Sequence, residues 1–180
     1  AGHAMPPVAN STPLATLDVN GETVEFDQAI VAAGSSPVRL PFLPDDDRVI
    51  TSTGALRLDD VPERLLVIGG GIIGLEMACV YDALGSEVTV VEMTDRLIPE
   101  ADDDLVKPLT RRIRKRYAAI HTDTRVEAVE AKDDGLHVTM TGKGASEAVF
   151  DRVLVAVGRT PNGGTLGLDA RPFVRDVDAD

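Results

Sequence analysis

The run Gly69-Gly70-Gly71-Ile72-Ile73-Gly74 constrains this chain more than any other feature, because of what stands on either side of it. Before it comes Leu65-Leu66-Val67-Ile68, a short and wholly apolar segment of the kind that is buried on both faces of a parallel sheet. After it comes a helical stretch to about Leu84, with Gly85 where a C-terminal cap belongs. A G-x-G-x-x-G run between a buried strand and a helix is the arrangement that seats a dinucleotide pyrophosphate. Gly69 permits the tight turn, Gly71 lets the backbone approach the phosphates without a Cβ in the way, and Gly74 allows close packing of helix on strand. The phosphates then face unpaired N–H groups and the positive end of the helix dipole. Residues 88–91 form a second buried strand ending at Glu92, about 18 residues beyond Gly74. A carboxylate there accepts from the adenosine ribose hydroxyls and repels a 2′-phosphate, and Met93-Thr94-Asp95 supply no compensating cation. The expected ligand is therefore NAD(H) rather than NADP(H). Glu76 reads, on its own, as a surface carboxylate near a helix N-terminus.

The rest of the chain extends the α/β pattern. Residues 14–19 and 23–26 flank Asn20-Gly21, a strong two-residue hairpin signal. Residues 29–33 are apolar and read as a buried strand feeding the turn at Gly34-Ser35-Ser36-Pro37, and residues 36–48, with their prolines and aspartates, read as a linker. Residues 102–116 suggest a helix with acids in its first turn and bases in its last, kinked or split at Pro108. A short strand is expected over 118–121, an antiparallel pair over 126–131 and 136–141, a further strand at Val149-Phe150, and a buried strand over 153–157. Strands alternating with helices imply a parallel sheet with right-handed crossovers, here interrupted by a small antiparallel β-meander. The expected division is a tag-like or disordered start over 1–13, a hairpin and strand over 14–48, a nucleotide-binding domain over 49–162, and a tail over 163–180.

Charge and cysteine content narrow the function classes. A formal net charge of −12 speaks against a nucleic-acid partner and against docking on anionic lipid, both of which need clustered positive charge. The basic run over 111–116 reads as a solvated helix face near a C-terminus. No apolar run approaches the roughly 18–20 residues of a membrane span, and no signal peptide is visible, so a cytoplasmic protein is expected. Cys79 is the sole cysteine, expected to be buried and inert, and His3, His121 and His137 lack metal-ligand spacing. No metal site and no cysteine- or histidine-based catalysis is assigned.

The string from Leu65 to Met77, followed by Leu84-Gly85-Ser86 and Val90-Val91-Glu92-Met93, closely resembles the dihydrolipoamide dehydrogenase family of flavin disulfide reductases. Ile30-Val31-Ala32-Ala33-Gly34-Ser35 and Ala156-Val157-Gly158-Arg159-Thr160-Pro161-Asn162 resemble two further family segments in the right order. The resemblance implies a Rossmann-like FAD/NAD(P)-binding fold. It implies that Gly69, Gly70, Gly71, Ile72, Ile73 and Gly74 hold the NAD pyrophosphate, with Glu92 and Met93 at the adenosine ribose and Val126 against the adenine. Ala156, Val157, Gly158 and Arg159 would border the nicotinamide, Glu76 would sit near where nicotinamide meets flavin, and Ala33, Gly34 and Ser35 would touch FAD, residues 14–48 being a remnant of the FAD-binding domain.

In such a parent enzyme reduced FAD passes hydride to NAD⁺, the partners being a lipoyl domain of a 2-oxoacid dehydrogenase complex and a second copy of the chain. The family reaction also needs an FAD-binding G-x-G-x-x-G, a C-x-x-x-x-C redox pair and a His-Glu pair, and this sequence contains none of them. The chain is thus expected to be a central, NAD-binding piece that carries no FAD and has no turnover alone. Another NADH-dependent flavin disulfide reductase (a transhydrogenase, or an NADH oxidase or peroxidase) and a stand-alone NAD-binding module remain open as alternatives.

Overall fold

The computed structural model describes residues 15–26 and 28–166. It divides into two units, one of Ser35–Asn162 and one of Ala1–Gly34 with Gly163–Asp180. The expected disordered start over 1–13 lies outside the described residues, as does the tail beyond 166.

In the smaller unit, β1 (Ala15–Val19) pairs antiparallel with β2 (Glu22–Phe26). Asn20 and Gly21 take φ of 55° and 88°, the double positive φ that a two-residue hairpin turn demands. The Gly21 N–H closes the turn by donating to Asp18 Oδ1 at 3.1 Å. Residues 29–33 depart from expectation. They form no strand, and Ile30 is 96% exposed. An apolar run becomes a buried strand only where neighbours supply ladder partners and cover, and no strand among the described residues pairs with it.

The larger unit holds β3 (Ser35–Pro37), β4 (Val49–Thr51), the short α1 (Ser52–Ala55), β5 (Arg64–Ile68), α2 (Ile72–Leu84) and β6 (Glu87–Val91). It continues with α3 (Asp103–Ile113), β7 (Ala119–His121), β8 (Thr124–Lys132) and β9 (Gly135–Gly142). It closes with β10 (Ser146–Phe150), β11 (Arg152–Val155) and β12 (Arg159–Pro161). The segment expected to be a linker instead opens this unit. β3 pairs antiparallel with β12, and Val38 N–H bonds the Gly158 carbonyl at 3.0 Å. Arg48 ties the same segment down, donating to Asp46 and, at 2.9 Å, to the Lys132 carbonyl.

A five-stranded parallel sheet in the order β4-β11-β5-β6-β7 forms the centre. Because side chains alternate along a strand, its two faces carry different sets. Leu65, Val67, Val88, Val90 and Leu154 face a cluster completed by Leu75, Ala78 and Tyr81 of α2 and by Val106 and Ile113 of α3. Leu66, Ile68, Val91, Val153 and Val155 pack instead on the meander β8-β9-β10, through residues such as Val126, Val138, Met140 and Phe150. Each such aliphatic side chain contributes about 1.5–3 kcal/mol on burial. That is why continuous apolar runs suit β5, β6 and β11.

Local details follow from sequence. α2 buries Gly74, Leu75, Ala78 and Tyr81, a one-sided helical stripe. It ends at Gly85 (φ 109°), where the Ser86 N–H reaches back to the Tyr81 carbonyl at 2.9 Å in a Schellman closure. α3 is one helix and is not split at Pro108, which lies exposed while Val106 and Ile113 anchor the opposite face. In β8 a bulge between Val126 and Ala128 shifts the alternation, so that Thr124, Val126 and Val129 are all buried. Cys79 is half-buried rather than buried, with Sγ 3.2 Å from the Tyr117 hydroxyl. Burial, together with that contact, pushes the Tyr117 phenol above its ordinary value.

Candidate functional site

The sheet order creates the site. β5 leads through α2 to β6 on one side, while β11 lies against β5 on the other. The chain therefore diverges at the carboxyl end of β5, and a crevice must open there. A cleft of about 720 Å³ occupies this position.

Each glycine of the β5–α2 turn meets a different constraint. Gly69 has φ of 109°, and a Cβ on it would fall 2.3 Å from the Ala156 carbonyl oxygen, so both backbone conformation and the nearness of β11 require glycine. At Gly74 a Cβ would lie 2.2 Å from the Gly69 carbonyl oxygen, which is how closely α2 is drawn onto β5. At Gly70 it would meet Leu97 Cδ2 at 2.5 Å and Glu92 Cβ at 3.0 Å. Gly71 differs from all of these. It is the N-cap of α2, has ordinary extended backbone (φ −77°, ψ −176°), and a Cβ there would meet nothing within 4 Å. It faces the cleft. No side chain caps this helix, so the first-turn N–H groups are left to whatever enters the cleft.

Glu92 closes the end of β6 with both carboxylate oxygens engaged. Oε2 accepts from the Gly70 N–H at 2.7 Å, and Oε1 accepts from the Thr94 N–H at 2.8 Å. The Thr94 hydroxyl has one proton to place between Glu92 Oε1 (2.8 Å) and the Arg96 carbonyl (2.9 Å). A carboxylate offers about four lone-pair sites. The protein takes up to three of them, which leaves capacity on Oε2, and Glu92 lines the cleft. The residue thus ties the glycine turn to β6 and also presents an acceptor to a ligand.

Of the residues singled out from sequence, Gly69, Gly71, Ile72 and Ile73 line the cleft, together with Glu92, Met93 and Val126. Ala156, Val157, Gly158 and Arg159 line its β11 side. Gly70 and Gly74 lie behind this surface, as support. Glu76 is exposed on α2 and is not part of the lining. Ala33 and Gly34 belong to the other unit. Ser35 opens β3, where its Oγ accepts from Arg159 Nε at 2.7 Å and its carbonyl accepts from Nη2 of the same guanidinium.

The structure adds lining residues that sequence reasoning did not pick, among them Leu40, Phe42, Ser52, Pro99, Glu100 and Arg125. Only Arg125 left a signal, a cation within the Thr124-Arg125-Val126 string. The charged lining residues are Glu92, Glu100, Arg125 and Arg159, so their formal charges sum to zero within a chain of −12. An anionic ligand meets less repulsion here than the net charge of the chain suggests. Cleft, glycine turn and Glu92 together fit a dinucleotide. Among the described residues no cluster of side chains could hold a metal ion, and no helix is long and apolar enough to cross a membrane.

The family model described as pyridine nucleotide-disulphide oxidoreductase matches residues 9–172. A dihydrolipoyl dehydrogenase of Vibrio cholerae serotype O1 is 52% identical over 174 residues, which cover 89% of this chain and 36% of that protein. One of Haemophilus influenzae is 56% identical over 148 residues, covering 81% and 31% respectively. Among solved structures, LpdA from Mycobacterium tuberculosis aligns with a TM-score of 0.71 and 32% identity, over 83% of this chain and 33% of that one. The chain spans 36% and 31% of the length of these two curated relatives, about a third.

Proposed function

Since the chain belongs to the pyridine nucleotide-disulphide oxidoreductase family, we propose that its larger unit is the NAD(H)-binding module of a dihydrolipoyl dehydrogenase-type flavoprotein. The observation that carries this reading is the joint geometry of Gly71 and Glu92. Gly71 leaves the N-terminus of α2 open to the cleft, and Glu92 sets an acceptor at the end of β6.

In this reading the α2 N-terminus holds the pyrophosphate by its dipole and free N–H groups. Glu92 accepts from the adenosine ribose and excludes a 2′-phosphate by charge. Val126 and Met93 supply the apolar bed for the adenine, and Ala156, Val157, Gly158 and Arg159 border the nicotinamide. When bound, the nucleotide supplies hydride acceptance from a reduced flavin, and the work of the chain is orientation and exclusion of water. Glu76 and the Ala33-Gly34-Ser35 segment are proposed to act at the flavin side of the full-length enzyme. Its partners there would be a lipoyl domain and a second copy of the chain.

Calorimetric titration tests the proposal. NADH should bind well and NADPH weakly, and Glu92→Arg should weaken NADH; equal affinities for the two nucleotides would refute it. The chain alone is expected to carry no stoichiometric FAD and to show no dihydrolipoamide-dependent NAD⁺ reduction. A flavin absorbance band on the purified chain would contradict that part.

A further inference from the structure

Arg125 stands out in the cleft because its guanidinium is uncommitted. Among the described residues the guanidiniums of Arg48, Arg57, Arg64, Arg96, Arg116 and Arg152 each pair with an aspartate, while Arg39, Arg111, Arg112, Arg114 and Arg159, like Arg125, do not; of these only Arg125 and Arg159 line the cleft. Among the described residues Arg125 pairs with no carboxylate, in a chain where Asp and Glu number 30 against 18 Lys and Arg. Its one hydrogen-bond contact among the described residues is Nη2 to Met93 Sδ at 3.8 Å, and a thioether is a weak acceptor. The other cleft arginine, Arg159, is already engaged by Ser35 and Ser52.

The backbone around Arg125 is held firmly. The Thr124 N–H donates to the Glu92 carbonyl at 3.0 Å, and the Asp123 N–H donates to the Thr94 carbonyl at 2.8 Å. Thr124, itself 1% exposed, donates from Oγ1 to the Thr122 carbonyl and accepts there from the Gly144 N–H, both at 2.9 Å. The start of β8 is thereby bonded to the end of β6. Arg125 is exposed between buried Thr124 and Val126, and its guanidinium extends to Met93, the residue that follows Glu92.

We propose that Arg125 is a positioning residue for the adenosine half of the dinucleotide, its guanidinium plane lying on the adenine face while Met93 props the side chain across the cleft. The proposal rests on the NAD(H) reading above. A guanidinium suits this place because it is planar, weakly hydrated and attracted to aromatic faces. A lysine keeps the charge but not the plane. The neighbouring Glu92 carboxylate makes the same place unfavourable for a 2′-phosphate, so the cation serves the base rather than NADP(H).

The test compares wild type, Arg125→Ala and Arg125→Lys, titrated with NADH, with ADP-ribose, and with reduced nicotinamide mononucleotide at millimolar concentration. Arg125→Ala should weaken NADH and ADP-ribose by the same factor, roughly three- to ten-fold. It should change the mononucleotide, which lacks adenosine, by less than about two-fold, and leave the unfolding midpoint of the ligand-free chain unmoved. Arg125→Lys should recover only part of the loss. If wild type binds NADH and ADP-ribose and Arg125→Ala binds them equally well, the role of Arg125 is refuted alone. Full recovery by lysine, or an equal loss for the mononucleotide, refutes it too. If wild type binds neither NADH nor ADP-ribose, the nucleotide reading falls, and this inference with it.

Discussion

Gly71→Ala and Gly74→Ala, separated by three positions, should fail in opposite ways. At Gly71 the backbone (φ −77°, ψ −176°) suits alanine, and the added Cβ meets no atom within 4 Å. The ligand-free chain should therefore keep its stability to within about 0.5 kcal/mol, the usual range for a substitution away from packed atoms. In the proposed NAD(H) reading, the same methyl would stand where phosphate oxygens approach the α2 N–H groups. One lost charge-assisted hydrogen bond is worth about 1.5–3 kcal/mol, or roughly ten- to a hundred-fold in Kd for NADH.

At Gly74 the added Cβ would sit 2.2 Å from the Gly69 carbonyl oxygen and 3.3 Å from Val67 Cγ1. The first partner is backbone and cannot rotate away, so α2 must lift by about 1 Å from the sheet. Overpacking of this kind costs about 1–3 kcal/mol or more. With a urea slope of about 1–3 kcal/mol per molar, the midpoint should fall by up to about 1 M or more. Urea melts and NADH titrations of both variants decide the matter. A Gly71→Ala chain that unfolds early, or that binds NADH as wild type does, would refute the assignment. So would a Gly74→Ala chain as stable as the parent.

Two further outcomes follow from the geometry. Glu92→Ala should lower the melting temperature of the ligand-free chain by several degrees, because the Gly70 and Thr94 N–H groups lose a charged acceptor worth about 2 kcal/mol in this half-buried place; scanning fluorimetry that shows no shift would mean that those bonds hold nothing. Asp46, whose side-chain and backbone hydrogen bonds from Arg48 pull its carboxyl from 3.8 down to about 2, contributes stability that is present above pH 4 and lost as pH falls from about 4 to about 2. Discounted for partial exposure this is about 1 kcal/mol. Asp46→Asn should remove it at pH 7 and flatten the acid limb of urea midpoints measured against pH.

The glycine turn, the end of α2 at Gly85, the Asn20-Gly21 hairpin and the meander were all legible because each rests on neighbours in the chain. A positive φ needs glycine or asparagine, an apolar run needs burial, and a helix needs a stop, and these demands are written over a few residues. The segment around Ile30 misled for the same reason. Its composition suits a buried strand, but burial is supplied by other strands, and Ile30 is 96% exposed where none of the described ones pairs with it.

Pairings between distant residues were not legible. Nothing near Ser35 announces that it meets Pro161 across β3 and β12, so a proline-rich stretch read as a linker. Likewise Glu92 was visible as an acidic strand end, but not as the acceptor for Gly70. Local composition was enough to place a dinucleotide-type turn between a buried strand and a helix and to set a carboxylate at the end of the next strand. Folding brought β8 beside β6, and with it the uncommitted Arg125 beside Met93, because hydrogen bonds from Asp123 and Thr124 to Thr94 and Glu92 join segments some thirty residues apart. Contacts of that span depend on the closed sheet, and no local pattern encodes them.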